Sequence, residues 1–81
     1  MWKEENNRLK KNFSFDNFSE AFAFITQVAL LAEKMNHHPE WSNIYNQVSI
    51  QLYTHEVGNK ITDLDRKMAT EIDLIFQKSL E

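Results

Sequence analysis

The spacing of apolar residues changes along the chain, and each change marks an element. Over residues 2 to 15, WKEE and RLKKNFSF flank Asn6-Asn7, a pair that tolerates left-handed backbone angles and so predicts a short hairpin. In its second arm Phe13 and Phe15 alternate with Asn12 and Ser14, and Leu9 shares their parity. The period then lengthens to that of a helix. Phe18, Ala21, Phe22, Ile25, Val28, Ala29, Ala32 and Met35 form a stripe expected to face the core. Asp16 is the expected N-cap, with Glu20 favourably placed in the first turn. A weaker stripe through Phe24, Leu31 and Met35 widens the apolar band, as deep burial or a subunit contact would require.

Pro39 ends the helical pattern, because the residue before a proline is pushed towards extended backbone. Trp41 to Ile44 reads as a short strand, Tyr45-Asn46 as a tight turn with Asn46 at positive φ, and Gln47 to Thr54 as a longer strand. In that strand Val48, Ile50 and Leu52 alternate with Gln47, Ser49 and Gln51, the period of a sheet with one buried face. Gly58-Asn59 marks a loop and Thr62 caps the last helix, whose stripe is Leu64, Met68, Ile72, Ile75 and Phe76. The expected architecture is α+β: an antiparallel four-stranded sheet with two helices on one face, in the order ββαββα.

Length sharpens this picture. Eighty-one residues make one domain near the size where a single core is only just sufficient, so self-association is expected. The absence of cysteine excludes disulfides, thiolate nucleophiles and cysteine-based metal sites, and suits a cytoplasmic location. No apolar run approaches a membrane span, and MWKEENNRLKK has no signal-peptide core. A formal net charge of −3 argues against direct nucleic-acid binding, which leaves Arg8, Lys10 and Lys11 as a solvated strand face.

The candidate chemistry is concentrated in EKMNHHPEWSNIYNQVSIQLYTHE, residues 33 to 56, which holds His37, His38 and His55. Each residue has a plain structural explanation. A surface histidine usually has no function, Pro39 can be a helix stop, Trp41 core, Glu33 a solvated helix residue, and Asp65 part of a Thr62-x-x-Asp65 capping box. As a group they offer more. Three imidazoles with Asp65 could ligate a metal, but adjacent histidines point apart and no His-x-His or His-x3-His spacing occurs. No Gly-x-Ser-x-Gly elbow supports nucleophilic hydrolysis, and a single glycine cannot build a phosphate cradle. Acid–base chemistry uses the group best, since imidazole titrates near neutral pH and can accept or donate a proton.

The spacing also carries a family resemblance. Glu33, His37-His38-Pro39, Tyr45, Thr54-His55 and Thr62-x-x-Asp65, together with Trp41, Asn46-x-Val48 and the upstream FSFDNFSEAFAFITQVALLAE, resemble pterin-4a-carbinolamine dehydratases over nearly the whole chain. The resemblance implies dehydration of 4a-hydroxytetrahydropterin to the quinonoid dihydropterin, with no metal and no cofactor. By similarity His37 and His55 would assist departure of the hydroxyl, and His38 would bind the ring and could accept the N5 proton. Asp65 would orient or charge-stabilise His55, while Trp41 and Pro39 would shape one wall. Members assemble as dimers or tetramers and normally carry a further helix before the residue matching Trp2, where this chain begins. That helix is therefore expected to be absent. Some members serve as dimerisation cofactors for a homeodomain transcription factor, so a binding module working through the Phe24–Leu31 stripe is the alternative.

Overall fold

The computed structural model describes residues 1–80. Strands β1 (Lys3–Glu5) and β2 (Arg8–Ser14) precede helix α1 (Phe18–Met35); strands β3 (Glu40–Ile44) and β4 (Gln47–Leu52) precede helix α2 (Asp63–Ser79). All neighbours pair antiparallel, in the spatial order β1-β2-β4-β3. The expected α+β architecture is the observed one.

The β2–β4 register aligns Leu9 with Leu52 and Phe13 with Val48, so both strands turn their apolar residues to the same face. There Leu9, Phe13, Val48, Ile50 and Leu52 are buried beneath Ala21, Phe24, Val28 and Ala32 of α1 and Met68, Ala69 and Ile72 of α2. Phe13 is the hinge-pin of this layer, with ring centroids 4.9 Å from Phe24 and 5.0 Å from Phe76. Burying a side chain of that size contributes about 1.5–3 kcal/mol. The opposite face is polar: Ser14 donates to Gln47 at 2.9 Å and Ser49 to Asn12 at 2.7 Å across the strands. Lys11 has the inner parity but stays only half-buried and pairs with Asp73 of α2 at 2.8 Å.

Four local expectations change. The N-cap of α1 is Asn17, not Asp16: its side chain accepts from the Glu20 amide at 2.9 Å, while Glu20 returns a carboxylate to the Asp16 amide at 3.4 Å. The core face of α1 runs through Ala21, Phe24, Val28 and Ala32, which brings Phe24 inside and leaves Phe18 48% and Phe22 54% exposed. Both tilings have helical spacing, and only the angle at which the helix meets the sheet separates them. In the β3–β4 turn Tyr45, not Asn46, takes positive φ (51°), an arrangement that costs a side-chain-bearing residue about 1–2 kcal/mol. Asn46 is used differently, since its amide nitrogen donates to the Phe15 carbonyl at 2.8 Å and ties the turn to the start of α1. Finally β4 ends at Leu52, and Thr54 pairs instead with Lys60 in an isolated bridge.

Candidate active site at the C-terminal end of α1

The end of α1 is a built turn. Asn36 adopts the left-handed conformation (φ 51°, ψ 44°), its amide returns to the Glu33 carbonyl at 3.2 Å, and the His37 amide returns to Ala32 at 3.1 Å. This is a Schellman arrangement, which satisfies the last carbonyls and reverses the chain within two residues. The reversal sends two consecutive histidines into different environments. His37 is only 5% exposed, whereas His38 lies at the surface, where Nε2 meets a Glu33 carboxylate oxygen at 2.8 Å.

The partner of His37 comes from α2. Asp65 is the third residue of that helix and has no exposed surface, and its Oδ1 lies 2.5 Å from His37 Nε2. Thr62 occupies the N-cap, and its backbone amide donates to Asp65 Oδ2 at 2.9 Å, one half of a capping box. Position explains the burial. Asp65 is one turn before Met68 and Ala69 on the core-facing side of α2, so its carboxylate points under the sheet's end. A buried carboxylate is tolerated only when its oxygens are hydrogen-bonded, and both are.

His55 arrives from the other direction. Beyond β4, the Thr54 amide donates to the Lys60 carbonyl at 2.8 Å and closes a small loop containing a 3-10 turn at His55–Val57. Left-handed Gly58 (φ 84°) and Asn59 (φ 62°) complete it. His55 Nδ1 faces Asn59 Oδ1 at 2.9 Å, and the ring stays exposed.

These segments enclose a shallow hollow of about 140 Å³ lined by Asn36, His37, His38, Tyr53, His55 and Glu56. All three histidines line it. Asp65 stands behind His37 rather than in the lining, and its hydrogen bonds go to His37, Thr54 and Thr62, so the expected pairing with His55 is not made. Glu33 reaches the hollow only through His38. Pro39 is half-buried and Trp41 is 38% exposed on edge strand β3; neither is among the lining residues. Tyr45 sits in the turn that precedes β4, at the opposite end of that strand from His55.

Sequence reasoning missed Tyr53. It continues the outward parity of Gln47, Ser49 and Gln51 one step past the strand, which is the only advance signal of its direction. Its hydroxyl donates to Glu40 Oε1 at 2.9 Å, and the Arg8 guanidinium lies 4.2 Å from its ring centroid. The bond to Glu40 raises the phenol above its usual range, so Tyr53 remains a neutral donor at physiological pH. Asn36 was missed as well; its position directly after the last apolar residue of the helix is the signal for a C-terminal cap.

Chemically, the hollow offers proton-transfer groups and little else. Among the described residues no group of three or more His, Asp or Glu side chains is arranged to hold a metal ion. Nor is any helix long and apolar enough to cross a membrane. What remains is a buried imidazole–carboxylate pair opening onto two solvent-accessible imidazoles.

Comparison with known proteins gives this geometry a context. The family model described as Pterin 4 alpha carbinolamine dehydratase matches residues 1–75. A Synechococcus protein provisionally named pterin-4-alpha-carbinolamine dehydratase is 58% identical over 74 residues, 91% of this chain and 78% of that protein. A Prochlorococcus marinus protein with the same provisional name is 51% identical over 77 residues, 95% of this chain and 79% of its own. A solved Brucella melitensis structure described as a transcriptional coactivator/pterin dehydratase superposes with TM-score 0.87 at 44% identity, covering 93% of this chain and 81% of that one. A second structure is described as a pterin dehydratase-like protein identified as a RuBisCO assembly factor in the alpha-carboxysome. It superposes with TM-score 0.78 at 26% identity, covering 91% and 87%.

Proposed function

The chain belongs to the pterin 4 alpha carbinolamine dehydratase family, and on that premise we propose that it dehydrates a 4a-hydroxytetrahydropterin to the quinonoid dihydropterin and water. In this reaction the C4a–O bond breaks, the N5 proton is lost and a C4a=N5 double bond forms. Hydroxide is a poor leaving group, so a proton or strong donor must meet the departing oxygen while a base receives the N5 proton. His37 and His55 assist the hydroxyl, and His38 binds the ring at the rim and can take the N5 proton. Asp65 stabilises charge on His37, its hydrogen-bond partner. A hollow of about 140 Å³ suits the reacting edge of the bicycle, with the rest of the ring outside.

The observation that carries the reading is the convergence of three histidines from two separate segments on one hollow, one of them backed by a fully buried carboxylate. Stopped-flow measurement of chemically generated 4a-hydroxytetrahydropterin tests it. The native protein accelerates dehydration, and His37→Ala and His55→Ala each lose most of the acceleration while remaining folded. Equal rates in all three would reject these roles. In the same reading the protein is a cytoplasmic dimer or tetramer that returns pterin to an aromatic amino-acid hydroxylase. Sedimentation velocity checks the assembly.

One observation favours a second reading, a non-enzymatic dimerisation or binding module. Phe18 and Phe22 stack at 5.7 Å on the exposed side of α1, and they, rather than the buried Phe24, would form the contact. The solved relatives described as a coactivator and as an assembly factor give this reading its precedent. A protein of that kind would show no turnover, and Phe22→Glu would abolish association without touching the hollow.

A further inference from the structure

The buried carboxylate is held by more than a helix cap. Asp65 Oδ2 accepts from the Thr62 amide at 2.9 Å and from Thr54 Oγ1 at 2.7 Å, and Thr62 Oγ1 lies 3.3 Å away. The two threonine hydroxyls are themselves 2.6 Å apart. Each hydroxyl has a single proton to give. If Thr54 spends its proton on Asp65, the close contact between the threonines is made by the Thr62 proton, donated to Thr54. A relay results: Thr62 to Thr54 to Asp65.

The relay has a consequence at the far side of the carboxylate. A backbone amide can only donate, so Oδ2 is an acceptor, and with a second donor from Thr54 it is doubly occupied, which leaves Oδ1 to His37. The group facing Oδ1 is His37 Nε2, and because an ionised carboxylate only accepts, Nε2 carries the proton opposite it. A neutral imidazole has one N–H, so Nδ1 is left as the bare nitrogen. No hydrogen bond reaches Nδ1 among the described residues, and no buried side-chain nitrogen or oxygen there lacks a partner. Nδ1 is therefore open to solvent, and the solvent-filled space beside His37 is the hollow.

We propose that Thr54, supported by Thr62, is a positioning residue: its hydroxyl fixes Asp65 so that His37 is held in the Nε2–H tautomer and presents Nδ1 to the hollow as the atom that takes up a proton and passes it to the departing hydroxyl. The part of the proposal that concerns turnover rests on the dehydratase reading; the tautomer does not. Thr54→Val keeps the shape of the side chain and removes the donor, and Thr54→Ser restores it.

Long-range nitrogen–proton NMR of histidine-labelled protein reads the tautomer directly. In the native protein neutral His37 shows a protonated Nε2 and a bare Nδ1. Thr54→Val gives a mixture of tautomers, and Thr54→Ser returns the native pattern. In the stopped-flow assay kcat falls about ten- to a hundredfold in Thr54→Val, the range typical for loss of a group that orients a working ligand, while KM stays within about twofold. A native His37 protonated at Nδ1 would overturn the proposal without any variant. So would a Thr54→Val protein with the native tautomer and the native kcat. A native protein without turnover whose His37 responds to Thr54→Val as expected would sustain the positioning role and reject the dehydratase reading.

Discussion

The inner face of the sheet and the hollow at its end lie a few residues apart and are built on opposite rules. Beneath the sheet, Phe13, Phe24, Val28, Val48, Ile50, Met68 and Ile72 exclude water almost completely and need no directional bonds. At the end of α1 the chain buries a carboxylate and an imidazole and satisfies them with two threonines from separate segments. Apolar burial stabilises wherever it fits, whereas a buried polar network contributes little net stability and is costly if any member is lost. The difference teaches where selection for function lies. A chain of 81 residues has little stability to spare, so a polar knot set into its core edge marks a place where geometry matters more than adhesion.

The comparison can be broken from either side, and the size of each effect should follow the region. His37→Ala removes a proton-transfer group and should lower kcat about 10²–10⁴-fold, measured by stopped flow, and calorimetry should show a lowered thermal midpoint as well, because the buried Asp65 carboxylate loses its imidazole partner. Phe13→Ala does the reverse. It should cost about 3–5 kcal/mol of stability in urea titrations, with the folded fraction turning over at the native rate. Asp65→Asn falls between the two: an amide has one accepting oxygen and a donating nitrogen in place of two acceptors, which leaves a buried group unpaired. A loss of about 1–3 kcal/mol is expected along with reduced kcat.

Smaller effects sharpen the boundary. Tyr53→Phe removes the hydroxyl bonded to Glu40 but keeps the ring that lines the hollow, so KM should change by no more than a few fold and kcat by less. The least expected effect is at Glu5, whose carboxyl is held below its usual range by a hydrogen bond from, and attraction to, Lys10. A depressed carboxyl stabilises the fold above the unfolded pKa, and that contribution is lost as pH falls through the folded one. Glu5→Gln should therefore shift the acid side of the stability profile only slightly, and not at all in high salt, because the pair is solvent-exposed.

The same division governs what could be read from the chain. Period and turn chemistry announce the hairpins, because Asn6 and Asn7 (φ 53° and 60°) do what asparagine pairs do and Val48, Ile50 and Leu52 alternate without exception. Ambiguity enters where two local solutions have equal merit. Asp16 and Asn17 are both good caps, and the choice falls to whichever the incoming strand leaves at the helix mouth. On α1, apolar residues occupy two adjoining stripes, and neither propensity nor spacing says which one meets the sheet. Phe24 is inside because Phe13, Phe15 and Phe76 surround it.

At the hollow, types were legible and partners were not. The histidines and Asp65 stand out by chemistry, but pairing depends on which side of the Asn36 turn a side chain leaves, so Asp65 meets His37 rather than His55. Tyr53 carries no chemical flag, and Thr54 enters the sequence pattern only as the neighbour of His55. Their importance comes from following directly on a strand that ends beside a helix N-terminus.

The most direct test of the site is a titration of histidine-labelled protein with 7,8-dihydropterin, followed by NMR. The account predicts that the ring signals of His37, His38 and His55 move together with a single dissociation constant. Signals that do not respond, or that respond independently at different concentrations, would contradict it.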